Sequence, residues 1–370
     1  MSGAKPLGVG VVGLSASRGW AGRAYIAALE AVDGLELRGV AASSERTARA
    51  AAEKYGLPHA FPGVEELAAS DAIDLIMIAV RVPRHRELLL AAREARKPVF
   101  CEWPLARTLD EADELVDAFS DHHTFVGLQA RAAPEMRYLR DLIDQGYVGE
   151  VLSTTMLGSG IQWGPTVDSG TSYLIDRDNG ATLLTIPFGH TIDAFSMVVG
   201  EFEHLAATTA TRRGTVTDTD DGRQLPMTAE DQIAVHGTLH GGAVASVHYR
   251  GGESRATNFA WEINGTDGDL RISGPSGHTQ SRRLTVSGAR GGEGLSAMTV
   301  PERYDRFPEL AGGISHALAH SLVDIIQDLA DGGSRTPDFA HARERHRLLD
   351  RIQRSARTGE RIDGSVAIGS

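Results

Sequence analysis

Leu7-Gly8-Val9-Gly10-Val11-Val12-Gly13-Leu14-Ser15-Ala16-Ser17-Arg18-Gly19-Trp20 is a mostly apolar run that ends in a glycine-bearing turn. From Leu7 to Leu14, with valines at 9, 11 and 12, it has the length and continuity of a strand buried on both faces. After the turn, Ala21 to Leu29 repeats apolar side chains at helical spacing. Strand, turn and helix stand in the order of a dinucleotide site, where glycines let backbone N–H groups approach a pyrophosphate and the helix N-terminus supplies positive potential. The fingerprint is imperfect: Ser15 stands at the usual second glycine, and one extra residue precedes Gly19. The alternative is a tight strand-to-helix turn that holds no ligand. The expected cofactor contacts here are Gly13, Leu14, Ser15, Ser17, Gly19 and Trp20.

The pattern repeats downstream. Leu35 to Ala42 is a second strand and Glu45 to Tyr55 a helix; Asp74 to Val80 is a continuous apolar strand, followed by Arg81-Val82-Pro83-Arg84-His85 and a helix from Arg86 to Ala95. Pro98-Val99-Phe100 leads into Cys101-Glu102-Trp103-Pro104-Leu105. Asp110 to Phe119 is an amphipathic helix, and Thr124 to Leu128 a strand ending in Gln129-Ala130-Arg131. Such alternation predicts a doubly wound parallel sheet, an α/β Rossmann domain over 1–128. Beyond Gly149 glycine, threonine and alternating strands become common, as in Ala243 to Arg250 and Phe259 to Ile272 with a Gly265-Thr266-Asp267-Gly268 turn. That predicts an open, mainly antiparallel sheet in an α+β substrate and oligomerisation domain, 129–370. Its last helices, His316 to Ala330 and Phe339 to Ala356, are expected to pack back toward the first domain.

At 370 residues, 41% hydrophobic and 23% charged, the chain can bury sizeable cores. A net charge of -12 and a pI near 5.6 argue against a nucleic-acid or anionic-membrane surface, each of which needs a basic patch. Small-molecule partners fit better. The single cysteine, Cys101, excludes an internal disulfide and a cysteine-rich zinc site. His122 and His123 are adjacent and lack a nearby third ligand, so no metal is expected. No apolar run of signal-peptide length precedes the first strand, and none approaches the ~20 residues of a membrane helix, so the expected location is cytoplasmic.

Ligands of open parallel sheets lie outside the carboxyl ends of the strands. Ala79, Val80, Arg81, His85, Glu102, Trp103, Gln129 and Arg131 are the expected cofactor contacts at those ends. After the second strand, where a carboxylate usually meets a ribose without a 2'-phosphate, the chain reads Ala42-Ser43-Ser44-Glu45-Arg46. Ser43, Ser44 and Arg46 suit a 2'-phosphate, which favours NADP over NAD; the alternative is that Ser44 only caps the helix.

The chain resembles the glucose-fructose oxidoreductase and inositol dehydrogenase family, Gfo/Idh/MocA. The residues that carry the resemblance are Glu102 to Leu105, the strand Asp74 to Ala79 with His85 after it, Gly127 to Arg131 with Pro134, Gly146-Tyr147-Val148-Gly149, and Gly265 to Gly268. Within the family, Gly13-Leu14, Arg18-Gly19-Trp20, Glu102-Trp103 and Pro187-Phe188-Gly189-His190-Thr191-Ile192-Asp193 resemble a branch whose members include a nicotinamide-binding regulator. The resemblance implies a nicotinamide cofactor and association through the open sheet, hence a homo-oligomer, a dimer or tetramer, with the exposed face of Ala243 to Arg250 as the contact. It also implies a catalytic lysine where Trp103 stands and an aspartate four residues before His190, where the chain has Ile186.

His190 and Asp193 remain. Their spacing puts both on one helix face, where the carboxylate is expected to orient the imidazole and raise its pKa. The bland alternative is a structural His-Asp pair. Tyr173 is a candidate acid and Asp176 a candidate substrate contact, both in a polar loop. Trp103 either stacks over the nicotinamide or an aromatic substrate, or fills the volume of the absent lysine. Trp163 is expected to wall the substrate pocket. Two functions follow: an NAD(P)-dependent oxidoreductase acting on a small carbonyl, imine or alkene, or a dinucleotide-binding regulator without turnover that acts through protein contacts.

Overall fold

The computed structural model describes residues 5–16 and 19–364, with Trp20 as backbone only. The chain divides into two compact units, 1–129 with 309–346, and 130–308 with 347–370.

In the first unit, β1 (Leu7–Val12), α1 (Trp20–Ala31), β2 (Leu35–Ala41), α2 (Glu45–Tyr55), β3 (His59–Phe61), α3 (Val64–Ala69), β4 (Leu75–Ile78), α4 (His85–Ala92), β5 (Val99–Glu102), α5 (Leu109–Ala118) and β6 (Thr124–Gly127) follow in order. The strands form one parallel sheet, β3-β2-β1-β4-β5-β6. Strand order reverses between β1 and β4, and their carboxyl ends make the crevice where such sheets bind ligands. Every residue of β4 and β5 is buried, as parallel strands covered on both faces require. The β3 strand and α3 helix were not expected from the sequence; three and six residues are too few to carry a period.

From residue 130 on, α6 (Pro134–Asp144), β7 (Val151–Gly160), β8 (Thr166–Val167), α7 (Gly189–Val199), β9 (Phe202–Ala210), β10 (Thr215–Asp218), β11 (Gln224–Pro226), β12 (Gln232–Leu239), β13 (Val244–Gly251), β14 (Phe259–Gly265), β15 (Gly268–Gly274), β16 (Thr285–Arg290) and β17 (Ser296–Met298) precede two helices, α8 (His316–Asp331) and α9 (Phe339–Thr358), and a last strand, β18 (Ile362–Asp363). Nine strands make one mixed sheet, β17-β16-β15-β14-β7-β13-β12-β9-β18, antiparallel except for the central β7/β13 pair. Along β13 buried and exposed residues alternate, so one face is packed and the other open. The packed face carries Tyr249 and Trp261, which meet Phe188 and Phe195 at ring-centroid distances of 5.5 and 5.3 Å. Those contacts fix α7 on the sheet. Helix α8 belongs to the first unit, where it packs on α1.

Candidate functional site

At the end of β1, Gly13 has φ +103°, and a Cβ there would lie 2.6 Å from the Ala79 carbonyl oxygen, so only glycine lets the ends of β1 and β4 approach this closely. Gly19 precedes α1 with φ +138°, no described side chain caps the helix, and its first turn carries no acid. Among the described residues its N–H groups have no side-chain cap, which suits an anion at this helix end. Two α2 residues that the sequence reading missed brace the turn: Lys54 Nζ donates to the Ala16 carbonyl at 2.8 Å and the Tyr55 hydroxyl to that of Ser15 at 3.1 Å. These residues fit a dinucleotide pyrophosphate. Leu14 is buried; Ser17 and the Trp20 side chain lie outside the described residues.

Beyond β2, Ser44 and Thr47 form a reciprocal capping box, with Thr47 N donating to Ser44 Oγ at 3.2 Å and Ser44 N to Thr47 Oγ1 at 3.0 Å. The capping role is thus real. Ser43 and Arg46 are exposed beside it.

His85, expected as a cofactor contact, is buried and braces the strand ends. Its Nδ1 lies 2.9 Å from the Pro104 carbonyl oxygen and its Nε2 3.1 Å from that of Val80, which ties the ends of β4 and β5 together. Burial lowers its pKa, against the pull of the carbonyls. Ala79 is buried, Val80 half-buried and Arg81 exposed at the same strand end.

Glu102 is buried at the end of β5, where it accepts from the Tyr25 hydroxyl at 2.6 Å and from Gln129 Nε2 at 3.0 Å. Burial, then the Glu102 charge, push the Tyr25 phenol well above its ordinary value, so it stays a donor. Gln129 Oε1 is buried without a hydrogen-bond partner among the described residues, an acceptor open to a ligand amide. Trp103 is 4% exposed and packs on His346, centroids 4.8 Å apart. Of its two expected roles, filling the lysine's volume is the one this packing fits.

In the second unit a π turn, Leu184–Phe188, containing Pro187, leads directly into α7. Such turns recur at functional sites. It delivers His190, 4% exposed, whose Nδ1 is buried without a partner. Its pKa is lowered from 6.5 to about 3, mainly by burial and further by His278, with Asp193 opposing. Asp193 does act to raise it, as expected, but burial outweighs the carboxylate. Arg131, expected to touch the cofactor, places Nη1 3.2 Å from Asp193 Oδ1 and neutralises that carboxylate.

Trp163 was expected to wall a pocket, yet it is 0% exposed, donates Nε1 to the Leu174 carbonyl at 2.9 Å and stacks on His278 at 6.3 Å. It is a core residue. Tyr173 is half-buried in a 3-10 turn, Ser172–Ile175, and its carbonyl accepts from Asn179. Asp176, expected to touch substrate, is exposed and caps the next turn by accepting from Asp178 N at 3.1 Å. The sequence reading also missed His278, buried in the loop between β15 and β16, which it did not single out.

A parallel sheet whose switch point carries a glycine turn and an uncapped helix, followed by a mixed sheet with a buried histidine on its covering helix, defines a dinucleotide-binding oxidoreductase fold. The chain belongs to the Gfo/Idh/MocA family: residues 7–129 match the oxidoreductase family with an NAD-binding Rossmann fold, and residues 134–274 match the Gal80p C-terminal domain. It is 31% identical to the galactose/lactose metabolism regulatory protein GAL80 of Saccharomyces cerevisiae, over 78% of this chain and 72% of that one. To dehydrogenase aclE of Aspergillus oryzae it is 30% identical, over 74% and 78%. The crystal structure of a super-repressor mutant of Gal80p from Saccharomyces cerevisiae superposes with a TM-score of 0.88 at 26% identity, covering 97% of this chain and 98% of that one. No helix among the described residues is long and apolar enough to cross a membrane.

Proposed function

We propose that this protein is an NAD(P)-dependent oxidoreductase that reduces or oxidises a small carbonyl, imine or alkene, with His190 handling the proton. The observation that carries the reading is the unpartnered, buried Nδ1 of His190 on the helix that follows the π turn. A buried polar atom left unsatisfied costs about 1–3 kcal/mol, a cost relieved when a ligand supplies the missing partner. The bound nicotinamide supplies the hydride acceptor or donor. The open N-terminus of α1 holds the pyrophosphate, Gln129 offers an acceptor, and Arg46 with Ser43 favours NADP, with NAD as the second candidate. A neutral imidazole at His190 hydrogen-bonds the reacting oxygen or nitrogen and, in the oxidation direction, takes its proton on one ring nitrogen while releasing its own from the other to water, so the ring stays neutral; reduction runs the same exchange backwards. Asp193 serves as the anchor of Arg131, and Tyr173 is the second candidate acid. Self-association through the open face of the mixed sheet accompanies this reading, with Val244 exposed there.

A second reading, a dinucleotide-binding regulator without turnover, is favoured by the packing of Trp103 on His346 where the family lysine would stand. Calorimetric titration with NADP(H) and NAD(H), followed by cofactor absorbance against a carbonyl and imine panel, separates the two. Turnover that collapses in His190→Ala supports the oxidoreductase; binding without turnover supports the regulator; no binding of either cofactor sinks both.

A further inference from the structure

We infer that His278 is a second ligand-binding residue, paired with His190, and that the two imidazoles receive one uncharged oxygen group of the ligand, a hydroxyl or a carbonyl. The inference rests on the reading above only in taking His190 as part of a ligand site.

Connections between antiparallel strands ordinarily run over the surface, because buried loop backbone has polar groups to satisfy. The loop between β15 and β16 does not: Ser276, His278, Thr279, Gln280 and Ser281 are all buried. It is held by specific bonds. Gly277 N donates to the Ser159 carbonyl at 2.9 Å, and the Tyr249 hydroxyl donates to the Gly277 carbonyl at 3.1 Å. From α7, Thr191 Oγ1 donates to the same carbonyl at 3.1 Å and meets Thr279 Oγ1 at 2.9 Å. Thr191 follows His190 in sequence, so one clasp sets the positions of both histidines. The stacking of His278 on Trp163, planes 17° apart, fixes its ring as well.

Against this background of satisfied groups, three polar atoms stand out. His190 Nδ1, His278 Nε2 and Gln280 Oε1 are buried without hydrogen-bond partners among the described residues. Buried polar groups are nearly always paired, so orphans on one loop and on the helix bonded to it, with His278 near enough to act on His190, mark where a ligand completes the set. The charge state defines that ligand. Burial dominates the lowering of both histidines, to about 3 for His190 and about 4 for His278, so each ring is neutral at pH 7. Arg131 is matched by Asp193, and Arg282, whose charge helps lower His278, is an exposed side chain at the end of the loop. The two rings themselves offer a carboxylate or phosphate no positive charge. A neutral imidazole offers one donor and one acceptor. Two of them can hold a hydroxyl, donating from one ring and accepting with the other, or a carbonyl, donating from both.

The test uses the full chain labelled with 15N-histidine and saturated with dinucleotide, titrated with erythritol, myo-inositol and D-xylose as neutral probes and gluconate as the anionic one. At least one neutral probe is expected to shift the ring nitrogens of His190 and His278 together and saturably, with gluconate at least ten-fold weaker. His278→Phe, which keeps a ring against Trp163, is expected to weaken that binding ten-fold or more with dinucleotide affinity unchanged, and His278→Gln to recover part of it. Circular dichroism and Tm verify that both variants fold. Equal binding of gluconate, probe binding indifferent to His278→Phe, or no shift with any probe overturns the inference. Probe binding without any change in cofactor absorbance leaves the paired subsite standing and sinks the oxidoreductase; turnover untouched by His278→Phe does the reverse.

Discussion

Arg131 and Asp193 form an ion pair in which Nη1 lies 3.2 Å from one carboxylate oxygen and 3.3 Å from the other, with the Asp193 side chain 1% exposed. The pair gives the buried Asp193 carboxylate a cation, while the same carboxylate acts to raise the His190 pKa against burial. Truncating one partner of a buried pair leaves the other charge in a low-dielectric setting, which costs about 3–5 kcal/mol. Arg131→Met is therefore expected to lower unfolding free energy by about that amount in urea titrations, and Arg131→Lys to recover part. A loss below about 1 kcal/mol would mean that the cation is dispensable to Asp193.

Acid stability follows from three buried histidines. His190 is depressed to about 3, and His278 and His346 to about 4, each chiefly by burial. The unfolded chain binds protons below about pH 6.5 that the folded protein refuses, so stability is full above that pH and falls as pH drops. The decline ends near pH 4 for His278 and His346 and near pH 3 for His190. Each group contributes a slope of up to about 1.4 kcal/mol per pH unit. Unfolding measured between pH 7 and 4 is expected to show a steep decline that becomes shallower in His278→Phe. An unchanged slope in that variant would show that His278 titrates normally.

Placing the family lysine at position 103 tests what the tryptophan does. Trp103 is buried against His346, so Trp103→Lys removes ring contacts and installs an ammonium in their place. Loss of a buried tryptophan alone costs about 3–5 kcal/mol. The expected outcome is a drop in Tm of several degrees and no gain of turnover. A stable, newly active variant would mean that the position can still host the family's chemistry.

The parts of the molecule legible in the sequence were those with a period long enough to read. The β1 strand and α1 helix emerged from continuous and helical spacing, α2 was read with the bounds it has, Glu45 to Tyr55 behind the Ser44 cap, and Asn264 pairs with Asp269 across the expected turn. Illegible features depended on long-range contacts. Asp193 looked like a partner of His190 because they are three residues apart, whereas its cation comes from 62 residues away. Pro187 argues against helix in sequence, yet lies within a π turn continuous with α7. Tyr25 was hidden among the apolar residues of α1, and its link to Glu102 crosses 77 residues. His278 carried no spacing signal at all; only the burial of its loop distinguishes it.

Cofactor choice turns on two residues, Ser44 and Arg46, with different duties. Ser44 Oγ accepts from Thr47 N within the capping box, so Ser44→Ala is expected to lower stability by about 1 kcal/mol whatever the cofactor. Arg46, exposed on the first turn of α2, has no such structural duty, and a guanidinium there interacts with a 2'-phosphate but not with a 2'-hydroxyl. Arg46→Glu replaces that attraction with repulsion. NADP affinity is expected to fall more than ten-fold by calorimetry while NAD affinity is unchanged, with no effect on Tm. If both affinities fall together, Arg46 supports the binding loop as a whole; if neither changes, the 2'-phosphate lies elsewhere and the preference for NADP loses its basis.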